Sequence, residues 1–409
     1  MNPNLRRLAA FDALALTSGL WFLAKFFRYA FPPLYPTFQA DLGVSNTLLG
    51  TAFSVMMLVY AAMQFPSGAL ADRFGSVRVI AVGAAITAGA GFLLAVEGPL
   101  SALLDGTVGA LAILLVGMGL VGAGTGAHKT VAIRLLSTVY PQRTGRALGV
   151  FDTFGTFGGV AAPAVVVALT DVAGWQTLFL GGGIFGLALL VGFVRRVPKR
   201  LPDDDATQDR ETGSDDAAGG IARYAPLFRE PTFLVFVGVN AMFGFAYNGV
   251  AAFLPLYLVD AAGLGSAVAN LLYSALFVVS LVQVVTGDLS DRLGERVVMV
   301  ATLAIAALGL GGLLVASGPL LAGAAVVAFG VGSHGFRPVR GAYLVQLVPE
   351  SVAGGSMGIV RTILMGSGAV SPAVVGYLSD AVGFVPAFAL LAAAMAAGVG
   401  AAGLLSRLE

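Results

Sequence analysis

Seven basic residues stand inside long apolar stretches of this chain: Lys25, Arg28, Lys129, Arg134, Arg337, Arg340 and Arg361. Side chains of this kind bind carboxylates and phosphates, the ammonium as a point charge and the guanidinium as a two-pronged donor. Lys25 with Arg28, and Arg337 with Arg340, share a helical face by i,i+3 spacing. Asp152 is the one embedded negative charge at comparable depth. Lys129 lies 12 residues before Pro141 and Asp152 lies 11 after it. Both therefore sit roughly 17–18 Å from the turn at ~1.5 Å per helical residue, and a Lys129–Asp152 pair is expected. Arg337 and Arg361 lie 12 residues either side of Pro349 and are expected to face each other in the same way. Arg134, nearest the end of its stretch, is expected to snorkel to the interface. His128 and His334 fall near mid-depth. Each reads either as a carrier of a coupling proton, because histidine titrates near neutrality, or as a helix-to-helix hydrogen bond.

These charges need an aqueous cavity or internal partners. Facing lipid, each would cost at least ~3 kcal/mol near the bilayer centre, and seven such costs exceed the ~5–15 kcal/mol that holds a typical protein folded. The pattern points to a small organic anion bearing carboxylate or phosphate, held by two or more of Lys25, Arg28, Lys129, Arg337, Arg340 and Arg361. Tyr247, Gln64 and Gln283 join them as candidate substrate-binding residues. Other aromatics crowd the same two stretches (Trp21, Phe22, Phe26, Phe27 and Tyr29, then Phe243 and Phe245) and read mainly as packing or lipid contact.

The elements that carry these residues are membrane helices. The chain has 409 residues, 11% of them charged, where a soluble domain carries about 25%, and a mean hydropathy of +0.89. Glycine, with 56 residues, is abundant inside the apolar runs, as expected where helices approach closely in lipid. A span needs about 20 mostly apolar residues. The hydropathy pattern predicts twelve, near 10–37, 46–70, 79–97, 107–138, 144–169, 175–194, 232–258, 266–286, 297–316, 319–347, 354–378 and 384–405. Breaks fall at turn formers such as Gly98-Pro99, Pro141, Gly318-Pro319, Pro349 and Gly383. The N-terminal run lacks a short core with a cleavage site and reads as a retained first helix.

Residues 195–230 are basic and then acidic and polar, cannot bury a core, and read as a linker. The predicted organisation is therefore an all-α membrane protein: a six-helix bundle over 1–194, a cytoplasmic linker over 195–230 and a second six-helix bundle over 231–409. Of the 23 Lys and Arg, 16 lie at the termini, in the linker or in the loops around 73–78, 143–146 and 292–296. The alternate loops hold none and carry Asp41, Asp105, Asp171, Asp260 and Asp380. By the positive-inside rule both termini are cytoplasmic, in the cell membrane.

The halves repeat. GALADRFGSVR after the second span matches GDLSDRLGER after the eighth, with Gly68, Asp72, Arg73 and Gly75 against Gly287, Asp291, Arg292 and Gly294 at an offset of 219. Gln64 and Gln283 share that offset. Gly149, Gly159 and Pro163 match Gly358, Gly368 and Pro372 at 209, and Pro33-Leu34-Tyr35 recurs at 255–257. Two parallel repeats follow.

At the G-x-x-x-D-R-x-G loop, present twice, the chain resembles the major facilitator superfamily. That resemblance implies a rocking-bundle carrier with its binding site between the halves at mid-membrane, lined by spans 1, 4, 7 and 10. It also implies that Asp72 and Asp291 bind neighbouring helix ends or basic groups and lock the outward-facing state, with Gly68, Arg73, Gly287 and Arg292 as their gating neighbours. A carboxylate at a helix N-terminus is favoured by the backbone dipole. Ser76-Val77-Arg78 stands where the family usually has a second basic residue. Span 4 lacks an early arginine and span 5 lacks the full glycine-proline motif of proton-driven drug exporters.

Other chemistries fit poorly. The absence of cysteine excludes disulfides, thiolate catalysis and cysteine metal sites, and two histidines without cysteine fall short of the ligand set of a structural zinc site. Gly117, Gly119 and Gly122 match G-x-G-x-x-G but follow no strand. A net charge of +1 with no basic stripe implies no nucleic-acid partner. The expectation is a monomeric secondary transporter, not an enzyme, without cofactor or metal. Its partners are the bilayer, a small anionic substrate and a coupling proton or sodium ion, by symport or antiport. The alternative is an efflux pump for antibiotics or other amphipathic toxins, since a glycine-rich span 4 followed by RTGRALG resembles such exporters. A sensor or channel would need a signalling domain or a continuous pore.

Overall fold

The computed structural model describes residues 11–104, 106–201, 226–348 and 353–408. Among them every regular element is a helix: α1 Asp12–Leu42, α2 Asn46–Phe74, α3 Ser76–Ala95, α4 Glu97–Leu103, α5 Thr107–Val139, α6 Thr144–Ala173, α7 Trp175–Arg196, α8 Pro231–Asp260, α9 Ser266–Val278, α10 Val282–Leu293, α11 Glu295–Val315, α12 Gly318–Leu347, α13 Ala353–Val382 and α14 Phe384–Leu408. In lipid only helices and closed barrels satisfy their own backbone, and the apolar runs become helices accordingly. Among the described residues eleven spans are long and apolar enough to cross a membrane. The expected first span, α1, is 31 residues long but falls outside that set, because Lys25 and Arg28 lower its hydropathy.

Two elements differ from the pattern read in sequence. The eighth span is broken by a 3₁₀ turn at Val279–Leu281 into α9 and α10. The loop after α3 holds an extra short helix, α4, in whose first turn Pro99 is well placed; its Glu97 is buried and accepts from Gln176 Nε2 at 3.3 Å. Of the expected linker, residues 202–225 lie outside the described residues, as does Pro349.

The chain forms two compact units, one of Met1–Leu34 with Val55–Ala218, the other of Tyr35–Ser54 with Gly219–Glu409. In the first unit α5 is held at backbone contact on two sides. A Cβ at Gly122 would lie 2.4 Å from the Met56 carbonyl oxygen, one at Gly126 2.5 Å from that of Tyr60, and one at Gly124 2.5 Å from that of Gly83. A cluster including Trp21, Ala127, Val131, Phe151 and Phe193 fills the space beside it. Arg200 closes the end of this unit with a bidentate pair to Asp12, both bonds 3.0 Å.

In the second unit Tyr257 stacks on Phe388 at 3.9 Å and donates to the Leu313 carbonyl at 2.9 Å. Asp380 caps the start of α2, accepting from Asn46 N at 3.2 Å and from Thr47 N at 2.7 Å. The repeated loops turn at Gly75 and Gly294, with φ of 86° and 88°. That left-handed region is open to glycine at no steric cost, which is why both copies of the motif end in it.

Candidate functional site

In the first unit the basic residues stand on aromatic faces. Arg28 is 4% exposed; its guanidinium lies 3.8 Å above the Tyr60 ring, and Nη2 donates to Thr125 Oγ1 at 3.1 Å. The Thr125 hydroxyl spends its own proton on the Val121 carbonyl at 2.7 Å, leaving a lone pair for Arg28. Arg28 Nε has no hydrogen-bond partner among the described residues. One turn earlier, Lys25 Nζ sits 5.5 Å from the Trp21 ring and 5.2 Å from the Tyr29 ring, its i−4 and i+4 neighbours.

Lys129 approaches the same indole from α5, at 5.0 Å, and its Nζ lies 2.6 Å from Asp152 Oδ1 on α6. Gly155 makes room for the indole, since a Cβ there would lie 2.2 Å from Trp21 Nε1. One tryptophan is thus shared by two ammonium groups, one of which already has a carboxylate. His128 is buried and its Nε2 lies 3.2 Å from the Thr17 carbonyl. A carbonyl only accepts, so Nε2 carries the proton and ties α5 to α1.

In the second unit Arg337 and Arg340 have aromatic faces but no acid among the described residues. The Arg337 guanidinium lies 4.5 Å above Tyr247, whose ring also meets His334 edge-on at 5.8 Å. Arg340 lies 5.5 Å from the Phe243 ring and 5.9 Å from Phe336. Its Nη1 is buried without a hydrogen-bond partner among the described residues, and the charges that bear on it are those of Arg337 and Arg361. Among the described residues none of Arg337, Arg340 and Arg361 makes an ion pair. Of the two glutamines, Gln64 is half-buried, and Gln283 donates to the Ser280 carbonyl of its own broken helix at 3.0 Å.

The two copies of the loop motif are placed differently. Asp72 pairs with Arg134, so that arginine is engaged by the motif rather than simply reaching for the interface. Asp291 is exposed and has no ion pair among the described residues, while Arg292 pairs with Asp288 on its own helix at 2.9 Å. The offset of 208 that sets Lys129 on Arg337 sets Arg134 on Ala342, so the second copy lacks the cation that the first one uses. Arg73 lies 5.2 Å from the Phe74 ring. Gly68 and Gly287 have open space where a side chain would stand.

Spacing along the chain did not single out Tyr60 and Thr125, the partners of Arg28, because both belong to other helices and neither is unusual in an apolar run. The only signal is indirect: glycines at 122 and 126 let α5 lie against α2 and so bring Thr125 and Tyr60 to the same guanidinium.

A helical chain with cations set at mid-span and a doubled loop motif defines a membrane carrier. The family model of the Major Facilitator Superfamily matches residues 18–327 and 267–408, and the chain belongs to that family. It is therefore a multi-pass membrane transporter and not an enzyme. A probable sulfoacetate transporter of Cupriavidus necator is 29% identical over 388 residues, covering 89% of this chain and 86% of the relative. An MFS-type efflux pump of Mycolicibacterium smegmatis is 27% identical over 390 residues, covering 92% and 85%. The solved structure of a bacterial homologue to the human lysosomal transporter Spinster superposes with a TM-score of 0.78 at 15% identity, over 100% of this chain and 98% of that one, and shares the fold.

Proposed function

We propose that this protein is a secondary active transporter that moves a small organic anion, bearing carboxylate or phosphate, across the cell membrane by alternating access, with both termini in the cytoplasm. The observation that carries this reading is the charge balance inside the spans. Lys25, Arg28, Lys129, Arg337, Arg340 and Arg361 are opposed at comparable depth by Asp152 alone. Arg28 and Arg340 each keep a buried guanidinium nitrogen without a hydrogen-bond partner among the described residues. An unpartnered buried donor costs free energy that an arriving acid group removes. The C. necator relative is named for sulfoacetate, an organic anion, which supports the same class. Movement against a gradient requires a coupled ion or an exchanged anion, and Asp152, His128 and His334 are the groups proposed to take part.

Export of amphipathic toxins is the second reading, favoured by the aromatic wall of Phe243, Tyr247, Phe329 and Phe336 and by the name of the M. smegmatis relative. A thermal-shift screen of the purified protein separates the two. Organic anions and phosphate esters should raise the melting temperature, and Arg28→Gln and Arg337→Gln should abolish that rise. Stabilisation by neutral or cationic antibiotics alone would discard the anion reading in favour of efflux, and anion binding unchanged in both variants would discard Arg28 and Arg337 as the groups that hold the anion.

A further inference from the structure

Inside its spans the second unit carries Arg337, Arg340 and Arg361, more positive charge than one acid group can balance. In the first unit Asp152 already neutralises Lys129 at 2.6 Å. The repeat position of Asp152 in the second half is Arg361, so the place of the internal acid is taken by a third cation. The three guanidiniums do not share one environment. Arg337 has its face covered by Tyr247 at 4.5 Å, which leaves its N–H edges, the part that binds a carboxylate with two parallel bonds, for another group. Arg340 lies between Phe243 and Phe336 with a buried nitrogen unmatched among the described residues. Arg361 is half-buried. A single acid group seated on Arg337 leaves Arg340 and Arg361 repelling each other without compensation.

Resting on the anion reading above, we infer that the substrate is a dianion with its two acid groups on a short skeleton, and that Arg340 is the residue that recognises the second charge. The length follows from the helix. Residues at i and i+3 have Cβ atoms ~5–6 Å apart, so Arg337 and Arg340 suit acid groups separated by about one to three carbons.

The test uses the purified full chain and matched pairs that differ in one charge: malonate, succinate and glutarate against their monomethyl esters, with phosphonoacetate as a phosphorus-bearing member. Thermal shift and isothermal calorimetry read apparent affinity. At least one dianion should bind about tenfold or more tightly than its half-ester, the value of one additional charge-assisted pair. Arg340→Gln should cut that ratio to under threefold, and Arg340→Lys should retain most of it. If Arg340→Gln does not fold, Arg340→Met is read in the same way. Half-esters binding as well as the diacids would overturn the dianion while leaving the anion carrier in place. Binding by none of the acids in either charge form, with antibiotics stabilising the protein, would overturn both.

Discussion

Among the described residues Lys129 meets a carboxylate and Arg337, its counterpart in the repeat, does not; the difference turns on one position, Asp152 against Arg361. In the proposed anion carrier, Asp152 is then an internal occupant of a cation that a substrate would otherwise use. Its side chain is 61% exposed against 20% for Lys129, so the pair is worth ~0.5–1 kcal/mol at most. Asp152→Asn should therefore tighten anion binding by about two- to fivefold, measured by calorimetry. A purely structural pair predicts weaker binding or none.

The placement of Lys129 and Asp152 was legible in sequence because both belong to one hairpin, and counting residues from Pro141 fixes their level. The partners of Arg28 were not, because Tyr60 and Thr125 come from helices whose rotation no count along α1 can set. The motif aspartates show the same limit. Asp72 and Asp291 are equivalent in sequence, yet Arg134 answers one and Ala342 stands where the other would need a cation.

At the scale of the element, glycine placement decides where helices touch. Gly126→Val should push α5 off α2, since even a Cβ would meet the Tyr60 carbonyl oxygen at 2.5 Å. Overpacking of this kind costs ~1–3 kcal/mol. The melting temperature should fall by several degrees, whereas Gly119→Val, with nothing within 4 Å of the added carbon, should leave it unchanged. Helix positions were readable because length and hydropathy alone define a span. The extra helix α4 was not, because Gly98-Pro99 reads as a turn although proline is also at home in a first helical turn. The break between α9 and α10 was equally hidden, since Phe277 to Leu281 is an uninterrupted apolar run apart from Ser280, and apolar composition does not distinguish 3₁₀ from α winding.

For the whole molecule, the proposed orientation has a direct check in a chain without cysteine, where any thiol introduced is the sole one. Ala102→Cys and Gln142→Cys both fall at exposed positions, on loops assigned to opposite sides. In intact cells a membrane-impermeant maleimide should label the first and reach the second only after permeabilisation. The reverse pattern would invert the topology.

The two halves follow one plan, but residues 279–281 depart from it. Their counterparts at the offset of 219, Tyr60 to Ala62, lie inside the unbroken α2. A 3₁₀ turn rises ~2.0 Å per residue against ~1.5 Å in an α-helix, and the two forms exchange hydrogen bonds without losing them. Over these three residues span 8 is therefore about 1.5 Å longer than an α-helix would be, and the stretch that carries Gln283 and the second loop motif is turned about the helix axis by the tighter winding. Span 2 has no such turn, so the duplicated plan sets its two loop motifs at different rotations.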